Sequence, residues 1–474
     1  MSRLPLLEGV LKYIKEDNSC FCMPGHKAGK GFLIDDIGRT FLEKLAKFDV
    51  TEVAGLDNLH SPEGIIKEAE KLLSEYYGSQ KSYFLVNGST SGNLSMIFSS
   101  FNEGDKVIVE RNCHRSIFNA IIMRKLRPVY VKNKVNEKYN APLSLDMEHF
   151  LLTIKENKDA KGIIITYPNY YGICADLKAI IKTAKRYKMM VLVDSAHGAH
   201  FGVHENLPKQ ALSLGADMVV MSSHKTLASF TQTAYLHVGK GIDLKKVDFY
   251  VSAFLSTSPS YILMCSMDYA RYYLEKYGFI EYEKLIKLSL YYSEKINKLE
   301  KFHVITPKDI GQTLTTMDIT RFIINVGKGY SGHKLLAYLR NKKIQCEMSD
   351  SENVVLIFSP SNNRDEFEKL YRVLEGCDKT LLKENYKEIM LSEIPFMKLL
   401  PYEAILKDNI EVKLVDAKGK ISGKSIVPYP PGIPLVMPGE IISSDVIDVI
   451  KYNIDNNVDI VGFNKEEMSL SIVQ

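Results

Sequence analysis

Tryptophan is absent from the 474-residue chain, and nowhere do eighteen apolar residues run together. The second absence excludes a membrane-spanning helix, which needs about 20 such residues to cross ~30 Å of hydrocarbon. An excess of one charge sign is lacking too. Basic residues number 61 against 57 acidic ones, a net charge of +4, and the two signs are interleaved. Such a balance leaves no electrostatic footprint for nucleic acid, and stretches such as Lys155 to Lys161 read as solvated helix faces. Cysteine is sparse: seven scattered residues, with Cys20 and Cys22 matching neither a zinc ribbon nor a redox pair, so reduced thiols are expected. Met1 to Lys15 carries Glu8 within its apolar stretch and offers no small-residue cleavage site, so no signal peptide is expected and the location is cytoplasmic.

Apolar residues at 45% and charged residues at 25% describe an ordinary globular chain, and its length calls for two or three packed domains. From about residue 60 to 240, β-branched runs alternate with amphipathic helical segments, the pattern of an α/β domain with a mostly parallel sheet. The expected strands are Lys106 to Glu110, Pro128 to Lys132, Gly162 to Thr166, Met189 to Asp194, Asp217 to Ser222 and Ala234 to Val238. Their near-continuous apolar character suits burial on both faces. Pro62 to Tyr77 predicts a helix capped by the preceding serine and stopped by Gly78, with Ile65, Ile66, Ala69, Leu72, Leu73 and Tyr76 inward. Ala175 to Lys188 predicts a second.

Beyond residue 290 the elements shorten and mix: strands at Arg321 to Val326 and Val354 to Phe358, helices at Lys334 to Arg340 and Asp365 to Glu375. Five prolines between Pro428 and Pro438 predict a rigid loop. The expected division is an N-terminal segment over 1–60, a large α/β domain over 61–290, a small α+β domain over 291–390, and a C-terminal domain over 391–474 that holds the proline-rich loop.

Two strand ends carry the chemistry. Met189 to Val193 leads into Asp194, and Asp217 to Met221 leads into Ser222-Ser223-His224-Lys225, so both clusters emerge at the carboxyl edge where open α/β sheets bind ligands. A lysine there, desolvated and beside a histidine, is favoured as the neutral amine that forms a Schiff base. An aspartate on the next strand end can hold a pyridine nitrogen protonated, as pyridoxal 5'-phosphate requires. Asn87-Gly88-Ser89-Thr90-Ser91-Gly92-Asn93, between Tyr83 to Val86 and the apolar helix Leu94 to Phe101, supplies a loop at a helix N-terminus that suits a phosphate. Each feature alone has a plain alternative: a surface lysine, a turn aspartate, an N-cap loop. Asp194, His197, His200 and His204 are metal-type ligands close together, but Gly198 and Gly202 break the segment, so no metal site is expected.

With those residues in view, the chain resembles the Orn/Lys/Arg decarboxylase family, fold type I pyridoxal-phosphate enzymes with a mostly parallel large-domain sheet and smaller α+β C-terminal domains. The resemblance runs through Met23-Pro24-Gly25-His26-Lys27, Gly55-Leu56-Asp57-Asn58-Leu59-His60, Arg111-Asn112-Cys113-His114-Arg115-Ser116, Asp194-Ser195-Ala196-His197-Gly198-Ala199-His200, Ser223-His224-Lys225-Thr226-Leu227, Ser256-Thr257-Ser258-Pro259-Ser260-Tyr261 and Pro438-Gly439-Glu440. It implies that Lys225 carries the cofactor and Asp194 pairs with its ring nitrogen. His114 and Ala196 would cover the two ring faces, and Ser89, Thr90, Ser222 and His224 would hold the phosphate. Thr257 would reach that phosphate from a neighbouring subunit, making a homodimer the smallest active unit. The start close to Met23 is similar to short family members without an N-terminal wing domain. Ser195 stands where many members have glutamate.

The resemblance further implies decarboxylation of a basic amino acid, arginine before lysine or ornithine, to a di- or polyamine precursor. Glu440, delivered by the proline-rich loop, is the expected reader of the substrate's distal cation; alternatively it caps a helix over Ile441 to Ile450. A fold type I aminotransferase or another lyase would use the same lysine and aspartate, and a C-terminal arginine clamping the substrate carboxylate would favour it; residues 373–474 hold none. A non-catalytic regulatory protein is the remaining alternative, against which intact Lys225, Asp194 and His114 argue.

Overall fold

The computed structural model describes residues 4–313, 316–384, 393–429, 434–455 and 458–474. The six expected strands and one more, Lys81–Leu85, form one seven-stranded sheet: β1 (Lys81–Leu85), β2 (Lys106–Glu110), β3 (Arg127–Val131), β4 (Gly162–Thr166), β5 (Met190–Asp194), β6 (Met218–Met221) and β7 (Ala234–Val238), in the order β1-β7-β6-β5-β4-β2-β3. All neighbours are parallel except β7, which runs antiparallel to both β1 and β6. β4, β5 and β6 are buried almost throughout, which is why their sequences read as unbroken apolar runs. The register sets Thr166 beside Asp194 and Asp194 beside Val220, so the carboxyl ends of β4 to β6 lie level.

The first long helix is Ile65–Tyr77, shorter than expected and capped differently. Ser61 and Pro62 lie outside it. The carboxylate of Asp57 instead accepts the backbone N–H groups of Glu63, Gly64, Ile66 and Lys67, which satisfies the free donors of the first turn. Ile65 and Leu72 face solvent, while Ile66, Leu73 and Tyr77 enter the core. Gly78 ends the helix at φ +70°, as expected. The helix Leu177–Arg186 buries Leu177, Ile180, Ile181 and Ala184.

An antiparallel four-stranded sheet, ordered His303–Val304, Arg321–Asn325, Asn353–Ile357, Met348–Ser349, packs with the helices Gly332–Asn341 and Arg364–Glu375. The N-terminal segment joins this unit: Ser19–Phe21 pairs in parallel with Ile344–Cys346. The helix Phe279–Asn297 runs through residue 290, so the chain passes between the two units inside a helix and not at a linker. The C-terminal region has its own core around Leu414, Ile426, Val436, Val446, Ile450 and Leu470. Within the expected proline-rich loop, Val427–Tyr429 is a strand paired with Asp459–Val461 in a two-stranded ribbon, where Pro428 is tolerated. Pro430 to Ile433 lie outside the described residues. Among the described residues, no helix is long and apolar enough to cross a membrane.

Candidate active site

β6 gives way at Ser222 to a single helical turn, Ser223–Thr226, that sets Lys225 at the carboxyl edge of the sheet. The turn is buttressed from the N-terminal segment, whose Gly25 N–H donates to His224 O at 2.8 Å. Lys225 Nζ lies 2.9 Å from Nε2 of His197 and 6.0 Å from the centroid of the Tyr170 ring. Burial pushes its pKa down to about 8, against the pull of Asp194 and Glu347 and with the help of Arg321. The neighbouring histidine is therefore His197, from the loop after β5, and not His224. His224 turns its Nδ1 to Thr233 O at 2.9 Å.

Asp194 ends β5 and is buried. Its Oδ2 accepts from Asn93 Nδ2 at 2.8 Å and its Oδ1 from the backbone N–H of Ala196 at 3.0 Å. Asn93 also donates to Ser116 Oγ at 2.8 Å, and Ser116 Oγ lies 2.8 Å from His114 Nδ1. A continuous polar chain thus joins the aspartate to His114, the residue that opens the helix Arg115–Met123. The Ser116 N–H donates to His114 Nδ1 at 3.2 Å, so the proton of the neutral ring sits on Nε2. Desolvation lowers the His114 pKa, which favours that neutral form.

The serine- and threonine-rich string is not a loop. Gly88 to Asn93 form the first turns of the helix Gly88–Ser100, which packs so closely on the sheet that a Cβ at Gly92 would lie 2.6 Å from Leu85 Cδ1. No side chain caps this helix: Asn87 Oδ1 accepts instead from the Ser256 N–H at 3.2 Å. Ser89 and Thr90 stand in the first turn with free amides around them. Ser222 is wholly buried, and its Oγ has no hydrogen-bond partner. An uncapped helix end with an orphaned hydroxyl beside it fits a phosphate.

Of the remaining expected residues, Thr257 and Glu440, the second departs from its expected place. Thr257 is exposed, in a segment tied to its own chain through Ser256. Glu440 is fully buried and makes a two-point pair with Arg111, Oε1 to Nη1 at 2.6 Å and Oε2 to Nη2 at 2.7 Å. It also accepts the Met437 N–H at 2.7 Å. Its charge is neutralised inside the protein, so it is no free carboxylate at a site mouth. Nor does it cap a helix, because the following helix is Ser444–Asp455, entered through Ser443.

Sequence reasoning missed Asn93 as a site residue, and it missed Arg321 altogether. Arg321, at the start of a small-sheet strand, is buried and donates to Tyr170 O at 2.8 Å and to His197 Nδ1 at 2.8 Å. The three clustered histidines diverge: His197 joins Lys225, His200 stacks on Tyr282 and lies 3.2 Å from Asp318, and His204 stacks on Phe279.

The donor set suits a phosphorylated aldehyde with a basic ring: a neutral amine to bind the aldehyde, an acid for the ring nitrogen, and the uncapped helix end for the phosphate. Placement at the carboxyl edge of this sheet defines the class, a pyridoxal-phosphate enzyme of fold type I. The models for the major and C-terminal domains of Orn/Lys/Arg decarboxylase match residues 4–366 and 379–470. The chain belongs to the Orn/Lys/Arg decarboxylase family, and it is a pyridoxal-phosphate-dependent amino acid decarboxylase. An arginine decarboxylase of Bacillus subtilis is 32% identical over 479 residues, covering 99% of this chain and 97% of the relative. An uncharacterized protein of the same organism is 36% identical over 453 residues, covering 94% and 92%. The solved structure of the constitutive lysine decarboxylase of E. coli superposes with a TM-score of 0.78 at 18% identity, covering 99% of this chain and 82% of that one.

Proposed function

We propose that the chain decarboxylates L-arginine, releasing carbon dioxide and the corresponding amine as a polyamine precursor. The observation that carries this choice is the end-to-end likeness at 32% identity to Bacillus arginine decarboxylases, against 23% to the inducible lysine decarboxylase of E. coli. In this reading Lys225 binds the cofactor, Asp194 holds its ring nitrogen, His114 and Ala196 cover its faces, and Ser89, Thr90, Ser222 and His224 take the phosphate. When bound, the cofactor supplies an electron sink for the carbanion that a departing carboxylate leaves.

The chain's own residues do the rest. His197 keeps the amine of Lys225 in place, and Asn93 with the Ala196 N–H fixes both oxygens of Asp194. Asp194, His197 and Arg321 are themselves buried, and their low-dielectric surroundings strengthen each of these contacts. Arg321 is engaged with Asp318, Tyr170 and His197, so it is not a free clamp for a substrate carboxylate of the kind an aminotransferase needs.

Purified protein with pyridoxal phosphate and separate arginine, lysine and ornithine, followed by chromatography of the amines, tests the proposal. Arginine should give the highest kcat/KM, and a preference for lysine or ornithine would overturn the choice of substrate. We place the protein in the cytoplasm as a homodimer, with Thr257 reaching the phosphate site of the partner. Mixing Lys225→Ala and Thr257→Asp proteins should then restore partial activity; no recovery in hetero-oligomers confirmed by mass would argue for self-contained sites.

A further inference from the structure

Arg321 reaches the site from the small sheet, and its contact with His197 has a consequence for the proton inventory at Lys225. A guanidinium can only donate hydrogen bonds. Its Nη2, 2.8 Å from His197 Nδ1, therefore requires Nδ1 to accept. A neutral imidazole with an unprotonated Nδ1 carries its proton on Nε2, and that Nε2 lies 2.9 Å from Lys225 Nζ. An ammonium at Lys225 would need a bare Nε2, leaving the ring with no proton on either nitrogen. A neutral amine needs only to accept the Nε2–H. The two contacts together fit one protonation state.

We infer that Arg321 is a positioning residue for Lys225: it fixes the His197 tautomer so that His197 donates to the amine and holds it neutral and aimed for attack on a carbonyl.

Several features hold Arg321 in this role. Its Nε donates to Asp318 Oδ2 at 3.3 Å, and Asp318 is fixed by the Thr320 hydroxyl at 2.6 Å. Its Nη1 donates to Tyr170 O at 2.8 Å. Gly172, at φ +81°, makes room: a Cβ there would lie 2.8 Å from Arg321 Cδ. The other groups facing Lys225 pull both ways. Asp194 and Glu347 favour the ammonium, Arg321 opposes it, and the Tyr170 ring stands 6.0 Å away. Desolvation lowers the pKa of both His114 and His224, so neither adds a positive charge near neutral pH. Burial pushes His197 well below the usual histidine range, with Lys225 and Arg321 adding to the shift, in keeping with a ring that stays neutral.

The inference rests on Lys225 being the cofactor lysine, but its test reads the lysine itself. Cofactor-free protein is labelled with acetic anhydride across a pH series, and acetylation of the Lys225 peptide is followed by mass spectrometry. Wild type should show a midpoint near 8. Arg321→Met should raise the midpoint by about one unit or more, and Arg321→Lys, which keeps a cationic donor, should restore most of the shift. His197→Phe should also raise it. In the His197→Phe background, Arg321→Met should move the midpoint by less than half as much as it does alone, because only the direct repulsion between the two cations remains once the ring is gone. An unchanged midpoint in His197→Phe, or a full-size Arg321→Met shift without His197, overturns the inference. Should Arg321→Met fail to fold, the His197→Phe midpoint decides alone. Borohydride trapping of the cofactor at a lysine other than Lys225 would instead sink the cofactor assignment.

Discussion

Replacing Glu440 by glutamine separates a structural carboxylate from a substrate-reading one. The Arg111–Glu440 pair has side chains almost wholly removed from solvent, and the guanidinium also lies 4.8 Å from the Tyr130 ring centroid. The pair ties the end of β2 to the C-terminal region. A glutamine can accept from one nitrogen of Arg111, but its NH2 then faces a second donor, either Arg111 or the Met437 N–H. Removing one partner of a buried pair costs about 3–5 kcal/mol, because the other charge stays buried without compensation. That is about a hundred- to several-thousand-fold in the local opening equilibrium. Hydrogen exchange read over residues 434–442, with urea titration beside it, should show this loss in Glu440→Gln. Arg111→Met/Glu440→Gln should be less destabilised than the two single effects added together, as expected for directly coupled groups. The ratio of kcat/KM for arginine to that for uncharged norleucine should stay within about threefold of wild type, since Glu440 is placed away from substrate; a selective loss of about 1.5–3 kcal/mol for arginine, the worth of a charged hydrogen bond, is the contrary case. Unchanged protection together with that selective loss would refute the structural assignment and return Glu440 to the substrate.

Lys225→Ala should abolish the visible absorbance of bound cofactor and borohydride fixation; fixation persisting elsewhere would move the cofactor to another lysine. Asp194→Asn should still bind cofactor but lose most turnover, because a neutral amide cannot keep a ring nitrogen protonated, and a near-normal kcat would remove Asp194 from the chemistry. Asp57→Ala should cost about 1–2 kcal/mol at neutral pH by leaving the helix Ile65–Tyr77 without its cap, read by denaturant titration. Burial works against the Asp57 charge, yet its backbone donors outweigh it and the folded pKa lies below the usual value. The contribution is therefore complete above the unfolded carboxylate pKa of about 4 and disappears as pH falls through the folded value, so wild type and variant should converge in acid. A difference that persists unchanged there would mean that the charge of Asp57 is not what caps the helix.

The strands of the large sheet were legible because burial on both faces removes every competing signal. Gly162–Thr166 and Ala234–Val238 occupy the expected residues, and β2 does as well. The pairing of Lys225 with Asp194 was legible for a related reason: parallel neighbours bring their carboxyl ends to one edge, so two polar strand ends in succession meet without knowledge of loops. The errors share another cause. Ser61 was expected to cap a helix because it precedes a proline, His224 to adjust Lys225 because it precedes the lysine, and Glu440 to serve either the substrate or the next helix because it follows a rigid loop. In each case adjacency in the chain stood in for adjacency in space. Asp57 caps that helix, His197 meets Lys225, and Glu440 is taken up by Arg111, each contact being made across turns or from distant elements.

Arg321 shows why this limit falls hardest on the site. The large sheet delivers Lys225, Asp194 and the uncapped helix end at Gly88 from contiguous strand-and-turn units, whose chemistry survives in local sequence. The arginine comes from the small sheet, more than ninety residues further along, and meets His197 only because the small unit docks against the loop after β5. The same docking is reinforced at the N-terminus. The Met23 N–H donates to Glu347 at 2.9 Å, Ser359 Oγ donates to Gly25 O at 2.6 Å, and Lys27 is buried with its amine on backbone oxygens of Cys22 and Ile357. The Met23-Pro24-Gly25-His26-Lys27 string, which carries no reactive group of its own at the site, thus clamps the small unit to the turn that holds Lys225. Its sequence specificity follows from that position: Gly25 touches the lysine turn with its N–H and the small unit with its carbonyl, so a change there would disturb both contacts at once.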